Sequence, residues 1–267
     1  MNREKQEKGS NFKPGGMGTM TLPIALQLYT VRDETEKDFI GTLEKVAAMG
    51  YKGVEFAGFG SVPAKQMKEA LDRLGLKAAG SHTGIDLLKT KLDDVMEYNL
   101  EIGNKYVICP WAPFKTKEDY AEAVGLFNET GVKCRARGLQ LGYHNHDFEF
   151  VSFDGEYGLD ILYKGTSPEN LVAEFDTCWV FYAGVDPVQY IGKYSGRCPI
   201  IHLKDLKSKD SKEFIELGDG VIDIPAIVKA AEAAGSRWLV VEMDSCPRPT
   251  LESAKICIDN LKKMNLI

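Results

Sequence analysis

The chain has 267 residues, 44% hydrophobic and 27% charged, which excludes bulk disorder and allows one large domain or two small ones. Its formal net charge of −6 excludes a dedicated nucleic-acid binder, because neutralising phosphates needs a basic footprint. The six cysteines, with no CxxC pair among them, read as reduced thiols of a cytoplasmic protein.

The first residues, MNREKQEKGSNFKPGG, carry charges with no apolar stretch behind them, so neither a signal peptide nor a membrane span is expected. Residues 1–22 read as a mobile N-terminal tail and 23–267 as one catalytic domain. After the tail one unit recurs. An amphipathic helical segment ends at a glycine and an apolar run follows, as in AAMGYKGVEF, LEIGNKYVICPW and AEAAGSRWLVVEMD. Glycine after the last turn supplies a left-handed cap, and such runs suit buried parallel strands.

The strands are expected at Ile24–Tyr29, Lys52–Phe56, Lys77–His82, Tyr106–Trp111, Gln140–His146, Leu171–Asp176, Pro199–Lys204 and Trp238–Met243. Helices are expected between them, near 36–49, 63–74, 89–102, 117–137, 156–165, 186–194, 223–234 and 250–263. Eight β-then-α units predict an α/β fold, a (β/α)8 TIM barrel. No GxGxxG or GxxxxGK[ST] follows the first strand, which weakens a nucleotide-binding open sheet.

Residues two apart share a strand face. The inward parity chosen reads Ala25, Gln27, Tyr29, then Gly53, Glu55, then Ala78, Gly80, His82. Strand 4 reads Val107, Cys109, Trp111, and later strands end in His144 and His146, Glu174 and Asp176, His202 and Lys204, Glu242 and Asp244. A polar group facing a barrel interior is costly unless it is paired or binds a metal. So many on one rim, including all four histidines of the chain, point to a metal-assisted site rather than a capping ion-pair network.

These residues and their order resemble the xylose isomerase-like TIM barrels, the sugar phosphate isomerase/epimerase superfamily that also contains endonuclease IV. The likeness runs from Leu22 to Leu261. It is carried by QLYTVRD at Gln27–Asp33, GYKGVEFAG at Gly50–Gly58, GSHTG at Gly80–Gly84, LGYHNHDFEF at Leu141–Phe150, EFDTCWVFYAGVDP at Glu174–Pro187, IHLKD at Ile201–Asp205, ELGDGVIDIPAI at Glu216–Ile227 and VVEMD at Val240–Asp244.

The resemblance implies one divalent metal held by Glu, Asp, His and Glu from strands 5 to 8. The last three fall on Asp176, His202 and Glu242. At strand 5 the sequence departs, with His144-Asn145-His146 where many relatives carry Glu-Asn-His. Glu149 is favoured as the fourth ligand, reaching back from the loop, and His144 is the alternative. Carboxylates and imidazole without thiolate suit Mn, Mg, Co or Zn, and such an ion bridging a carbonyl and a hydroxyl would stabilise an enediolate.

Glu242 and Glu149 are expected as the acid/base pair and Lys204 as a stabiliser of developing oxyanion charge. His82, His146, Trp111 and Glu55 are expected to touch substrate; Trp111 offers an aromatic face to a sugar. The resemblance implies a metal-dependent isomerase or epimerase of a sugar or keto-sugar. The alternative is a lyase or dehydratase of the inosose dehydratase type, acting on a keto-sugar or keto-glycoside, because the histidine-rich strand 5 is closer to that branch. The expected partner is a small carbohydrate, with neither nucleic acid nor membrane, and a homo-oligomer is compatible with the sequence. A DNA repair endonuclease would need a basic groove and more histidines. A non-catalytic sugar-binding barrel would bind ligand without exchanging its carbon-bound protons.

Overall fold

The structure, a computed structural model, describes residues 22–267; the expected tail lies outside them except for Leu22. Eight parallel strands close into a barrel: β1 (Ile24–Gln27), β2 (Gly53–Phe56), β3 (Lys77–His82), β4 (Tyr106–Cys109), β5 (Gln140–His144), β6 (Val172–Asp176), β7 (Ile200–Leu203) and β8 (Trp238–Val241). Each strand pairs with its neighbours in sequence, and β1 closes on β8 through Ala25 opposite Val240. Crossover helices follow in turn: α1 (Phe39–Met49), α2 (Ala64–Leu74), α3 (Leu92–Glu101), α4 (Lys117–Ala136), α5 (Gly158–Gly165), α6 (Pro187–Lys193), α7 (Ile224–Ala233) and α8 (Thr250–Lys263). The chain is therefore a single-domain (β/α)8 barrel.

Two apolar layers hold it. The larger lies between strands and helices, and includes Leu26, Val54, Phe56, Val107, Phe175, Leu203 and Val241. The smaller fills the lower barrel with Ala25, Ala79, Tyr106, Ile108, Val172, Ile200 and Val240. Burying apolar side chains on both faces of the strands is what makes such short runs stable as parallel sheet. Strand 4 corrects the expected parity: Tyr106 and Ile108 point inward, and Val107 and Cys109 face the helices. The inward Ile108 is seated against Gly142, where an added Cβ would come within 2.4 Å of its Cδ1.

Several strands stop earlier than expected, β1 at Gln27, β4 at Cys109, β5 at His144, β7 at Leu203 and β8 at Val241. The residues beyond them turn into the loops of the C-terminal mouth, where this fold carries its active sites. A six-residue helix, Thr177–Tyr182, starts directly after β6 and is capped by Asp176. The expected helix at 89–102 is two pieces, Ile85–Thr90 and α3, broken at Lys91.

Candidate metal centre and active site

Strands β5 to β8 deliver His144, Asp176, His202 and Glu242 to one point at the mouth, and one potential ligand atom from each lies within 4.8 Å of the others. His144 Nε2 is 3.7 Å from Asp176 Oδ2, and His202 Nδ1 is 2.8 Å from Glu242 Oε2. Local structure fixes each side chain. Asp176 Oδ1 accepts the Cys178 and Trp179 backbone N–H groups at 3.0 and 3.1 Å, capping the helix after β6. That leaves Oδ2 buried and turned toward the centre, where its one close cationic neighbour is Lys204 Nζ at 2.9 Å. Asn145, the middle of the His-Asn-His run, ties β5 to β6: the Asp176 N–H donates to its Oδ1 at 3.1 Å.

Behind the ligand atoms sits a second layer of carboxylates. His144 Nδ1 is 3.0 Å from Glu174 Oε1, and His202 Nε2 is 2.6 Å from Glu55 Oε2. Gln27 Nε2 donates to the same Glu55 oxygen at 2.8 Å. Gly80 makes this possible, since a Cβ there would meet Glu55 Oε1 at 2.3 Å. A carboxylate on the far nitrogen of each imidazole fixes its tautomer and turns the other nitrogen toward the centre, as ligating histidines require.

The cluster is rich in negative charge. Glu55, Glu174, Asp176 and Glu242 are all buried, and Lys204 is the one buried lysine among the described residues. Lys204 Nζ lies 2.9 Å from Asp176 Oδ2, 2.9 Å from Glu242 Oε2 and 2.6 Å from Asp244 Oδ1. Burial, and then the neighbouring Glu174, push Glu55 up to about 7. Burial pushes Asp176 up to about 6 against the pull of Lys204 and His202. The four convergent ligand atoms, the oriented imidazoles and the surplus of buried carboxylates fit a divalent cation.

Two of the expected residues stand apart from the cluster. Glu149 is not among the converging side chains. Its Oε1 accepts from Tyr143 Oη at 2.7 Å and its Oε2 from the His146 N–H at 2.8 Å, so both oxygens are engaged in the short turn Phe148–Phe150. His144, the alternative at strand 5, is the residue that joins Asp176, His202 and Glu242. Glu55 is fully buried beneath His202 and is absent from the cavity lining. Gln27 and Glu174 belong to the buried layer and Asp244 to the cavity wall; strand parity had put all three on the inward face without assigning them a role.

The cavity over the centre has a volume of about 560 Å³. His82, His146, Lys204, Glu242 and Asp244 line its polar part, and Tyr29 and Trp111 stand at its rim. His82 Nε2 is 2.7 Å from Glu174 Oε1; burial pulls its basicity down, but Glu55 and Glu174 raise it above the ordinary histidine value. His146 is lowered to about 4 by burial and by Lys204, and its Nδ1 has no partner. His82 is thus shifted toward its protonated form, while His146 is a neutral ring at neutral pH.

Comparison with known proteins bears on the family and the fold. A relative from Geobacillus kaustophilus named inosose dehydratase is 24% identical over 248 residues, 77% of this chain and 80% of its own length. A crystal structure titled sugar phosphate isomerase/epimerase, from Parabacteroides distasonis, is 25% identical with a TM-score of 0.81, covering 92% of this chain and 99% of that one. A structure titled L-ribulose 3-epimerase superposes with a TM-score of 0.70 at 16% identity, covering 91% of this chain and 94% of that one, a likeness of fold. The family profile described as xylose isomerase-like TIM barrel matches residues 43–264, and the chain belongs to that family.

Proposed function

We propose that the chain is a divalent-metal-dependent lyase that removes water, or another β leaving group, from a small keto-polyol or keto-sugar. The observation that carries this reading is the distribution of acids and bases around the cavity. Its carboxylates, Glu242 and Asp244, both come from the end of β8, while the other side presents His82 and His146. Two carboxylates facing each other across a substrate, as Glu242 and Glu149 would have done, are not assembled. Elimination needs one base and one acid, and this site offers that pair.

A divalent ion held by His144, Asp176, His202 and Glu242 would polarise the ketone and an adjacent hydroxyl, acidifying the carbon-bound proton between them. Two imidazoles in the donor set favour Mn, Co or Zn over Mg. Glu242, kept ionised by Lys204 and His202 despite burial, takes the proton on the carbon next to the ketone. Its electron pair becomes the new C=C bond as the C–O bond on the next carbon breaks. His82, in its protonated form, gives its proton to the departing oxygen, so water leaves when that oxygen was a hydroxyl. Lys204 steadies negative charge growing on the ketone oxygen.

The relative named inosose dehydratase supports the elimination, and the Parabacteroides structure supports an isomerase or epimerase as the second reading. The two differ in product mass. The metal-loaded protein incubated with an inosose, a cyclic keto-polyol, should yield a product lighter by one water. A product of unchanged mass would favour the second reading, and an unreacted substrate with unexchanged protons would remove both.

A further inference from the structure

The mouth of the barrel is divided. His144, Asp176, His202 and Glu242 come from β5 to β8, whereas the cavity wall contributed by the ends of β1, β2 and β4 is Tyr29, Ala57, Gly58, Pro110 and Trp111, with His82 of β3 the one polar side chain set between them. Apart from His82 this wall carries no charged group, and it is open, with Trp111 51% and Tyr29 42% exposed. Tyr29 is braced from behind. The Arg32 guanidinium lies 4.1 Å from its ring centroid, donates to the Tyr29 carbonyl at 2.8 Å, and donates to the Asp244 carbonyl at 3.1 Å. An aromatic ring held in place at the edge of a polar site, with a second exposed ring lining the same cavity, leaves apolar area in water unless a ligand covers it.

From this division we infer that the wall formed by the ends of β1, β2 and β4 is a subsite for a flat apolar substituent, so that a keto-sugar carrying an aromatic aglycone binds more tightly than the bare keto-polyol on which the same chemistry runs. The inference rests on the proposed lyase or isomerase reading for the sugar half alone. A cavity of about 560 Å³ lies within the range of roughly 300–1,000 Å³ that encloses drug-sized ligands, which leaves room beside one sugar ring. The polar floor then orients the sugar, and the aromatic walls select what is attached to it.

Binding can be measured without turnover. Phenyl β-D-glucopyranoside and methyl β-D-glucopyranoside are titrated by calorimetry into the full chain, with and without added Mn. The wild type should bind the phenyl glycoside about tenfold more tightly than the methyl one, an amount typical of burying one aromatic ring face. Trp111→Ala and Tyr29→Ala should each lose most of that preference while keeping methyl glucoside affinity and the thermal midpoint. Equal or undetectable binding of both glycosides by the wild type would overturn the subsite. A preference that survives in both variants would do the same. Because the measurement reads binding, a failure of elimination in the mass assay leaves its outcome unaffected, and the two readings fail separately.

Discussion

His144 and Glu174 form a buried pair, with the imidazole Nδ1 3.0 Å from the carboxylate Oε1, and this contact turns His144 Nε2 toward Asp176. A histidine at the end of β5 is thereby given the orientation of a ligand by a residue of β6. The same device operates at His202 through Glu55. Glu174→Gln should retain the fold and lower metal affinity by about 10–100-fold, the usual cost of losing such a partner. Competition against a chromophoric chelator measures it; wild-type affinity in the variant would show that Glu174 does not orient the site.

Glu149 provides a contrasting prediction. Burial pushes its carboxyl up to about 7 even though Tyr143 and the His146 N–H stabilise the ionised form. Its folded pKa lies above the unfolded value, so the native state binds the extra proton. Its favourable contribution is complete below about pH 4.5 and is lost as the pH rises through about 7. Glu149→Gln resembles the protonated acid and lacks this dependence. Relative to wild type, the variant should gain on the order of 2–3 kcal/mol between pH 5 and pH 8, with its metal content intact. Urea titrations at the two pH values, run metal-free and followed by metal analysis of reloaded protein, test both parts.

Lys204 stands between Asp176, Glu242 and Asp244. Removing its charge leaves buried carboxylates uncompensated, a change that costs about 3–5 kcal/mol when one partner of a buried pair is lost. A bound cation replaces part of that compensation. Lys204→Met should therefore melt well below wild type without metal and should gain more from added Mn or Zn than wild type does. A thermal melt series with increasing metal shows the difference; equal gains in the two proteins would disconnect Lys204 from the centre.

The barrel was legible because eight β-then-α units survive in the sequence, five of their strands entered through a helix–glycine junction, with the apolar content that buried parallel strands need. Asp176, His202, Lys204 and Glu242 were legible because strand parity carries their polar ends to one rim. What the sequence concealed depends on contacts between strands. Glu149 looked available from its spacing, and nothing local revealed that the Tyr143 hydroxyl and the His146 N–H engage both its oxygens. Strand 4 alternates between apolar residues on both faces, so its parity could not be fixed by polarity. Glu174 and Glu55 carried the right parity, but only the assembled barrel shows that they back His144 and His202 rather than meeting substrate.

The last prediction concerns the base. Glu242 follows β8 directly, lies 4% exposed at the cavity wall and is held well below the usual carboxylate range: burial raises its pKa, but Lys204 and His202 lower it more. A residue that is ionised at neutral pH and reaches the cavity can remove a proton from the carbon beside a polarised ketone. Glu242→Gln keeps the volume and removes the basicity, so turnover should fall by about 10²–10⁴-fold, the range typical of a lost general base. Because Glu242 also belongs to the candidate ligand set, the comparison requires saturating metal, with occupancy confirmed by elemental analysis. Proton exchange then isolates the first step. In D2O the wild type should wash out the carbon-bound proton next to the ketone of an inosose, followed by NMR, and metal-loaded Glu242→Gln should not. Exchange at the wild-type rate in the loaded variant would exclude Glu242 as the base and direct attention to His146, whose neutral ring and unpartnered Nδ1 make it the other proton acceptor at the cavity.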